Sequence, residues 1–506
     1  MLVTAGFGVR GHFVMMNFLQ HLAYFGVVAL LASTVPAGFL GDPGAAQTTI
    51  LVVGFLGAWR YSWAAINFTR AIIFRRFVYP KWKRLRQARF DAVELPSHCY
   101  FMVTTYLVKI DVTLTVYRSI FRAASAARDG ATVVASVVDG KDARLIRDIF
   151  ENMPCDMTGV KLVIDRIESK GKRDAMAKAL RILASMAPSH RDVLVFVDGD
   201  TVVPENIWAA SAPVLTDPKV GAMTTDEAAI IDKPGLYKDW FNLRFDQRQV
   251  MMCSMGLANR VLTLTGRMSV FRASLATDQG FIQAVEADYL NHWRLGRVNF
   301  LTGDDKSTWF WLLSNGYETA YLPDIKSQSY EEQPRDTFLD SAQTLMVRWF
   351  GNMMRTNGRA IKLGPGRMGF FTWWSVLDQR VSMFTTLVGP LSVLITAFAG
   401  APEVIPLYIA WVLSTRYVFC TYIALFRGHW FPVTHPPVLY FGQVVGAMVK
   451  TFVFYRLDRQ RWTRQGSGAA AKLAPGERVK RLESFAMHSI AISWLIMAIM
   501  LVNTIE

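Results

Sequence analysis

The stretch VLVFVDGDTVVP, residues 193–204, decides the fold class of this chain. Five consecutive apolar residues end at two aspartates one residue apart, Asp198 and Asp200. A short run that is apolar on both faces is typical of a strand buried inside a parallel sheet. Similar runs, ATVVASVVD at 131–139 and VKLVID at 160–165, alternate with helix-like stretches. This alternation predicts an α/β domain whose parallel sheet is covered on both faces.

The composition indicates that this domain is only part of the molecule. The 506-residue chain is 52% hydrophobic and has a net charge of +15. It is therefore too apolar for an ordinary soluble enzyme and too charged for a bundle of membrane helices alone. Its widely spaced cysteines show no metal-ligand spacing and no disulfide framework, which fits a reducing compartment. They are Cys99, Cys155, Cys253 and Cys420.

Apolar segments flank the α/β region on both sides. Residues 75–89 carry seven Lys or Arg and no acid, directly after an apolar segment. A nucleic-acid patch is the alternative interpretation of such a run, but the apolar neighbour favours a cytoplasmic membrane flank, and we expect no nucleic-acid partner. Segment 437–455 contains Gln443 and Lys450 and is expected to lie along the membrane interface. Five predicted spans and an external C-terminus follow. The predicted spans are 13–34, 48–74, 381–399, 403–426 and 485–502.

Asp198 and Asp200 are the first candidate site. Ligands of open parallel sheets bind beyond the carboxyl ends of the strands. Two carboxylates one residue apart can reach Mg²⁺, which proteins commonly hold together with substrate phosphates. The alternative is a simple turn, because Asp-Gly is a common turn dipeptide.

Three further motifs carry candidate chemistry. In FLTGDDKS (300–307), Asp304 and Asp305 could supply a general base and its partner, or one could cap a helix. Lys172 and Arg173 lie at a loop-to-helix junction that suits a diphosphate, although basic loop residues are common. The Arg-Trp pair at 348–349 offers an indole platform for a sugar, or an ordinary interfacial tryptophan.

In this order, the DGD, GDD and RW motifs resemble the processive glycosyltransferases of the cellulose, chitin and hyaluronan synthase type. Many of those have Gln three residues before the Arg, where this chain has Leu345. Longer strings closely resemble the bacterial alginate synthase glycosyltransferase family, and this similarity extends from the first membrane segments to Gln465. The strings are LTGRMSVFRAS (264–274), HWRLGR (292–297), FLTGDDKS, RWFGN (348–352), DQRVSM (378–383) and RLDRQRWTRQ (456–465).

The resemblance implies a GT-A catalytic domain, with a Rossmann-like mixed sheet, inserted in the cytoplasm between transmembrane helices. It implies polymerisation of mannuronic acid from GDP-mannuronic acid into a β-1,4-linked chain, with inversion, and passage of that chain across the bacterial inner membrane. The implied division is an N-terminal transmembrane hairpin with basic flank (1–90), the GT-A domain (91–335), interfacial helices with the Arg-Trp motif (336–380), transmembrane and interfacial helices (381–456), a cytoplasmic gating loop (457–482) and a C-terminal transmembrane helix (483–506).

The resemblance also implies roles for single residues. Asp198 and Asp200 would hold Mg²⁺ or Mn²⁺ on the nucleotide diphosphate. Asp305 would be the general base that deprotonates the acceptor 4-hydroxyl, with Asp304 beside it. Lys172 would contact the diphosphate, and Asp139 would face the nucleotide base. Arg348 and Trp349 would hold the acceptor. Trp462, Thr463 and Arg464 would form a gating segment that closes over the nucleotide.

A uronic acid donor carries a carboxylate that glucose lacks, so the site needs an additional cation. Lys306, next to the implied base, is the first candidate, with Arg267, Arg294 and Arg297 as others. The alternative for Lys306 is an ion pair with Asp304.

The resemblance implies a separate membrane partner that binds c-di-GMP, and a periplasmic export and modification complex. Competing hypotheses are a processive synthase that uses a UDP-sugar, a lipid glycosyltransferase, and a non-catalytic export subunit, which the complete acidic motifs disfavour. Arg60 and Arg416 lie inside apolar segments. They predict either a polar path that opens above Trp349 or hydrogen bonding between helices with snorkelling side chains.

Overall fold

The structure, a computed structural model, describes residues 5–41, 43–168, 170–460 and 475–503. The strands are β1 (Cys99–Thr105), β2 (Ala131–Val137), β3 (Val160–Arg166), β4 (Val193–Asp198), β5 (Thr201–Val202), β6 (Val220–Ile230), β7 (Met268–Arg272), β8 (Tyr289–His292), β9 (Gly296–Asn299) and β10 (Glu318–Tyr330).

The helices are α1 (Ala5–Ser33), α2 (Gln47–Ile73), α3 (Tyr79–Asp91), α4 (Ile110–Ser125), α5 (Gly140–Glu151), α6 (Lys172–Ser185), α7 (Ile207–Ser211), α8 (Leu236–Gly256), α9 (Ala273–Ala276), α10 (Gln279–Ala287), α11 (Asp304–Ser314), α12 (Phe338–Lys362), α13 (Gly364–Met368), α14 (Phe370–Phe398), α15 (Val404–Arg427), α16 (His435–Phe454) and α17 (Pro475–Asn503). A π-helical turn, Phe74–Val78, joins α2 to α3.

The three apolar runs identified in the sequence form β2, β3 and β4 of an eight-stranded sheet with the order β3-β2-β1-β4-β7-β6-β10-β5, whereas β1 was not predicted. Strands β3, β2, β1 and β4 are parallel, and Cys99 of β1 pairs with Ala131 on one side and Val193 on the other. The interior of β4 is buried on both faces, as its continuous apolar character requires. Because parallel strands all end at one edge, the residues after β2 and β4 share that edge.

The other half of the sheet corrects the all-parallel prediction from the strand runs and agrees with the mixed sheet of a GT-A domain. Strand β7 lies antiparallel between β4 and β6, and β10 then pairs parallel with β6. Met268 of β7 lies opposite Val197, so the loop before β7 arrives beside the carboxyl end of β4. This return places a loop from a distant part of the sequence against the two aspartates.

The described residues contain five helices that are long and apolar enough to cross a membrane. They are Gln47–Asp91, Phe370–Phe398, Val404–Arg427, His435–Phe454 and Arg478–Val502. The number equals the predicted number of spans, but the set differs. Here α16 meets the criterion, and Asn17–Ser33 of α1 is a shorter apolar helix among the residues that the structure describes in full.

Length and composition alone would let α16 cross a membrane, yet both of its ends contact the α/β domain. Thr434, before its first turn, donates a hydrogen bond to Asp239 at 2.6 Å. After its last turn, the Tyr455 carbonyl accepts from Arg294 at 2.7 Å. Both ends of α16 therefore lie against the α/β domain, and the interfacial placement stays a prediction.

The long amphipathic helix α12 connects the α/β domain with the membrane helices. Its buried residues include Leu345, Met346 and Met354, and its neighbours are α11, α14 and α16. Leu345, the position that departs from the related synthases, lies in an apolar cluster with Trp240 and Leu439. A leucine here therefore fills a helix-packing site.

Candidate active site

The loop that carries Asp198 and Asp200 is held tightly against the end of β1. The Asp198 amide donates to the Arg267 carbonyl at 2.9 Å, and the Gly199 amide donates to the Thr104 carbonyl at 3.0 Å. A Cβ on Gly199 would lie 2.9 Å from that same carbonyl oxygen. The DGD spacing therefore needs glycine between its aspartates, because a larger residue would lift the loop from β1.

Lys172 joins two acidic motifs that are far apart in the sequence. Its Nζ lies 2.7 Å from Asp198 Oδ1 and 3.0 Å from Asp304 Oδ2. Burial disfavours the charged amine, but the two carboxylates outweigh it and raise the pKa of Lys172. Lys172 begins α6 directly after Gly171, whose φ of +118° suits glycine. Lys172, which was predicted from the sequence to contact the diphosphate, thus lies between Asp198 of the predicted metal site and Asp304 of the predicted catalytic pair.

Asp304 and Asp305 are the first two residues of α11, and Gly303 is the capping residue. Their carboxylates lie where a helix N-terminus favours negative charge. Burial would raise the pKa of Asp304, but Lys172 and Arg173 outweigh it and hold that pKa below its usual range. Burial and the neighbouring Asp304 raise the pKa of Asp305. The pair therefore combines an ionised anchor with a stronger base.

The carboxyl end of β4 has the chemistry of a divalent-cation site. Burial raises the pKa of Asp198 to about 7, against the opposing effect of Lys172, and Asp200 and Asp304 add to the shift. A carboxylate that is this hard to ionise gains from additional positive charge, and two oxygen ligands suit a hard cation. No group of three His, Cys, Asp or Glu side chains that could hold a metal ion is found in the described residues.

Arg267 and Arg348 bring positive charge to the same cleft. Arg267 pairs with Glu331 through Nη2 at 2.6 Å and Nε at 2.7 Å. The pKa of Arg348 is lowered, because burial outweighs the opposing charges of Glu331, Asp198 and Asp305. Arg348 therefore lies within electrostatic reach of both acidic motifs.

Trp349 forms an aromatic platform next to this cationic group. It stacks on Trp240 with ring centroids 5.6 Å apart and meets Phe241 edge-on at 5.8 Å. The Arg244 guanidinium lies 4.1 Å from the Trp349 centroid. The tryptophan thus belongs to a packed aromatic cluster beside the cleft.

The structure argues against Lys306 as the cation for a sugar carboxylate. Its side chain is buried, its amine donates to the Leu262 carbonyl at 2.9 Å, and Trp309 lies beside that amine at 4.7 Å. Burial also lowers its pKa to about 8. The alternative of an ion pair with Asp304 is not formed either, since Asp304 pairs with Lys172.

Arg294 and Arg173 are structural as well. Arg294 donates to the Tyr455 carbonyl and to Ser484 at 2.9 Å, so it fastens the β8–β9 hairpin to α16 and α17. Arg173 is buried and donates to the Val285 carbonyl at 2.7 Å and to Ser307 at 2.9 Å. Arg294 is thus engaged away from the acidic cleft, and Arg173 lies under the start of α11, where its charge acts on Asp304 while its hydrogen bonds go to protein groups, so neither is free to bind the ligand predicted for it.

The other predicted residues lie as follows. Asp139 is exposed at the carboxyl end of β2, where it caps α5 by accepting from the Lys141 amide at 2.9 Å. Arg297 lies 3.9 Å over the Tyr289 ring. The predicted gating residues Trp462, Thr463 and Arg464 lie outside the described residues.

Hydrogen bonds connect the loop before Asp304, residues 299–302, with residues 457–460, which precede the predicted gating segment. The sequence did not predict this connection. The Gln460 side-chain oxygen accepts from the Leu301 amide at 2.9 Å, and its amide nitrogen donates to the Asn299 carbonyl at 2.8 Å. Arg355 donates to the Leu457 carbonyl at 3.0 Å and to Thr302 at 3.2 Å. Asn352 in the RWFGN string was the one sequence feature that pointed to this connection. Thr302 donates a hydrogen bond to its side chain at 2.6 Å.

Comparison with known proteins agrees with this geometry. The family model described as glycosyltransferase-like family 2 matches residues 96–352, which contain the whole sheet, both acidic motifs and the Arg-Trp pair. The fold and the site therefore define a GT-A glycosyltransferase carried by a membrane protein.

Two curated relatives make the assignment narrower. Glycosyltransferase alg8 of Pseudomonas syringae pv. tomato is 40% identical over 456 residues, which cover 90% of this chain and 91% of that protein. Glycosyltransferase alg8 of Azotobacter vinelandii is 40% identical over 457 residues, with the same shares. The chain belongs to the Alg8 glycosyltransferases of alginate biosynthesis.

Solved structures show more distant similarity. The mannosyltransferase PcManGT from Pyrobaculum calidifontis, in complex with GDP-Man and Mn²⁺, has a TM-score of 0.42 and 18% identity, and the match covers 76% of this chain and 97% of that one. S. aureus TarS 1-349 has a TM-score of 0.28 and 13% identity, over 51% and 66%. These similarities are too distant to assign a ligand to this chain.

Proposed function

We propose that this protein is a processive inverting glycosyltransferase that polymerises mannuronic acid from GDP-mannuronic acid into β-1,4-linked polymannuronate. The single observation that supports it best is the Lys172 bridge between Asp198 and Asp304. A donor diphosphate at the carboxyl end of β4 would then lie directly beside the pair that activates the acceptor.

The chain supplies the groups that this reaction needs. Asp305 takes the proton from the acceptor 4-hydroxyl, and that oxygen attacks the anomeric carbon as the bond to the GDP oxygen breaks. Asp304 stays ionised and holds Lys172, whose ammonium compensates charge on the departing diphosphate. Asp198 and Asp200 hold Mg²⁺ or Mn²⁺, which supplies further stabilisation of the leaving-group charge.

The remaining residues bind the two sugars. Arg348 and Trp349 hold the acceptor end, with the indole against an apolar sugar face. Arg267, which is held in place by Glu331, binds the carboxylate of the donor sugar in place of Lys306. Asp139 contacts the nucleotide base from the end of β2, and Trp462, Thr463 and Arg464 close over the nucleotide.

The proposed setting is the bacterial inner membrane, with the catalytic domain in the cytoplasm and the polymer passed outward between the membrane helices. The predicted division at residues 90, 335, 380, 456 and 482 is kept in this proposal. Regulation falls to a separate membrane partner that binds c-di-GMP, and export to a periplasmic complex.

Reconstitution tests the proposal. Purified protein in lipid, with and without the partner, is expected to release GDP from GDP-mannuronic acid in a divalent-metal-dependent manner and to form a polymer that a mannuronate lyase degrades. Release of UDP from a UDP-sugar, with no use of the GDP donor, would instead establish the UDP-sugar synthase. A lipid-linked monosaccharide as the product would establish a lipid glycosyltransferase, and no transfer from any sugar nucleotide would establish a non-catalytic export subunit.

A further inference from the structure

Two cations lie beside the Trp349 platform and have no role in the proposed reaction. Arg244 of α8 lies 4.1 Å from the Trp349 centroid and 5.1 Å from that of Trp240. Lys450 of α16 lies 4.8 Å from the centroid of Phe350, the residue after Trp349. Both side chains are half-buried. The two charges therefore lie on two helices that both pack against α12, and the Arg244 charge acts on the Lys450 amine.

Neither the Arg244 nor the Lys450 side chain forms an ion pair or a hydrogen bond with another residue in the described part of the chain. Other part-buried arginines do have counter-ions: Arg359 pairs with Asp288, and Arg427 with Asp226 and Asp246. Burial, together with the charge of Arg267, lowers the pKa of Arg244 to about 10, so this guanidinium remains charged at neutral pH. Charged side chains in such surroundings are normally paired. A negatively charged ligand would supply the missing partners.

The position of Lys450 connects this pair to the membrane helices. The charges that act on its amine include those of Arg244, of Arg60 in α2 and of Asp378 in α14. Gln443, two helical turns before Lys450 on the same face of α16, accepts from Arg416 at 3.0 Å. The platform at Trp349 is thus continuous with a polar seam between membrane helices.

Arg60 and Arg416 themselves bond across the helices. Arg60 pairs with Asp378 at 2.6 Å and donates to Thr385 at 2.6 Å, whereas Arg416 also donates to Tyr61 at 3.0 Å. These contacts favour the helix-bonding interpretation for both arginines. Among the described residues, Arg244 and Lys450 are therefore two cations in this region that pair with no carboxylate.

We propose that Arg244 and Lys450 form a carboxylate-binding subsite that receives the uronate groups of the product chain as it leaves Trp349. The identity of that chain rests on the proposed function. Each sugar of a polyuronate carries a carboxylate, which a guanidinium can bind through two hydrogen bonds and an ammonium as a point charge. A neutral glucan would leave both cations unpaired, so the subsite would favour uronate chains over neutral chains.

Binding of defined oligosaccharides tests the subsite without catalysis. The detergent-solubilised full chain, without donor, is titrated with a β-1,4-mannuronate oligosaccharide and with the neutral β-1,4-mannose oligosaccharide of equal length. Arg244→Gln and Lys450→Gln are each expected to weaken mannuronate binding about tenfold or more, as the loss of a hydrogen bond to a charged group does. Affinity for the neutral oligosaccharide should not change.

Matched variants separate this specific effect from general ones. Lys219→Gln removes one positive charge from an exposed turn at the opposite sheet edge and should leave mannuronate affinity at the wild-type value. Arg244→Lys and Lys450→Arg keep the charge, so they should retain part of the affinity, and they replace the glutamine variants if those do not fold.

Three results would overturn the proposal. They are equal wild-type affinity for the charged and the neutral oligosaccharide, an equal loss of affinity in Lys219→Gln, and a loss confined to binding of phosphatidylglycerol vesicles, which would assign the cations to lipid headgroups. Failure of the wild type to use GDP-mannuronic acid would refute the proposed function separately, because oligosaccharide binding needs no donor.

Discussion

Asp305→Asn is the sharpest test of the acid–base assignment, because the change keeps the shape of the side chain while it removes the charge and the ability to accept a proton. The Asp305 side chain is half-buried next to Asp304, and burial and that neighbour raise its pKa. Asparagine is neutral and therefore costs less to desolvate than a carboxylate, so folding should be preserved. A positioned general base contributes about 10²–10⁴-fold to rate, or about 3–5 kcal/mol of transition-state stabilisation. We expect kcat to fall within that range.

The pH dependence follows from the direction of the shift. The base acts when deprotonated, so activity rises with pH through the pKa of Asp305. That pKa is raised, and the rising limb therefore lies above the range of an ordinary carboxyl group near 3.8. In Asp305→Asn the residual activity should lose the part of this limb that Asp305 contributes, because asparagine does not titrate, whereas the contribution of Asp198 should remain.

The assay measures GDP release and polymer formation over a pH series, with donor affinity measured separately. Asp148→Asn, on the exposed face of α5, is the matched control and should match the wild type in all three. Near-normal transfer by Asp305→Asn together with lost donor affinity would show that Asp305 is a binding residue and refute the assignment.

The other predictions concern the surrounding contacts. Gly199→Ala should lower activity at saturating metal, because its Cβ would approach the Thr104 carbonyl to 2.9 Å and overpacking of this kind costs about 1–3 kcal/mol; unchanged metal dependence and rate would contradict it. Arg294→Gln should lower the melting temperature, since a hydrogen bond to a charged group contributes about 1.5–3 kcal/mol, while the KM for the donor stays constant; a KM effect without destabilisation would restore Arg294 as a sugar ligand. Gln460→Ala should raise the KM for the donor while the melting temperature changes little, because the hydrogen bond to the Leu301 amide is lost. An equal rise in KM in the exposed variant Lys233→Gln would exclude a specific role for this hydrogen bond.

Much of the architecture could be predicted because its signals are local. A strand buried on both faces must be apolar throughout, and β4 therefore showed itself as five apolar residues before Asp198. A helix that crosses a bilayer must be long and apolar, so four of the five candidate spans in the described residues were visible from composition. The antiparallel β7 was not predicted from the strand runs, since its direction depends on the long return of the chain through α8.

Side-chain direction was the limit for the site. Lys306 follows Asp305 directly, which suggested a shared role, but successive residues of a helix point about 100° apart. Its amine consequently turns into the core towards Leu262, whereas Asp305 faces the cleft that contains Asp198. Arg294 looked equally available, yet the C-terminal helix engages it through Ser484.

The sequence by itself determined the strand ends, the two acidic motifs and the membrane helices, because each depends on residues close together in the chain. Only the tertiary structure decided how charges pair. It joined Asp198 and Asp304 through Lys172, and it left Arg244 and Lys450 beside the aromatic platform without a carboxylate in the described chain. Electrostatic partners are chosen by distance in space, and packing among α8, α12 and α16 sets that distance.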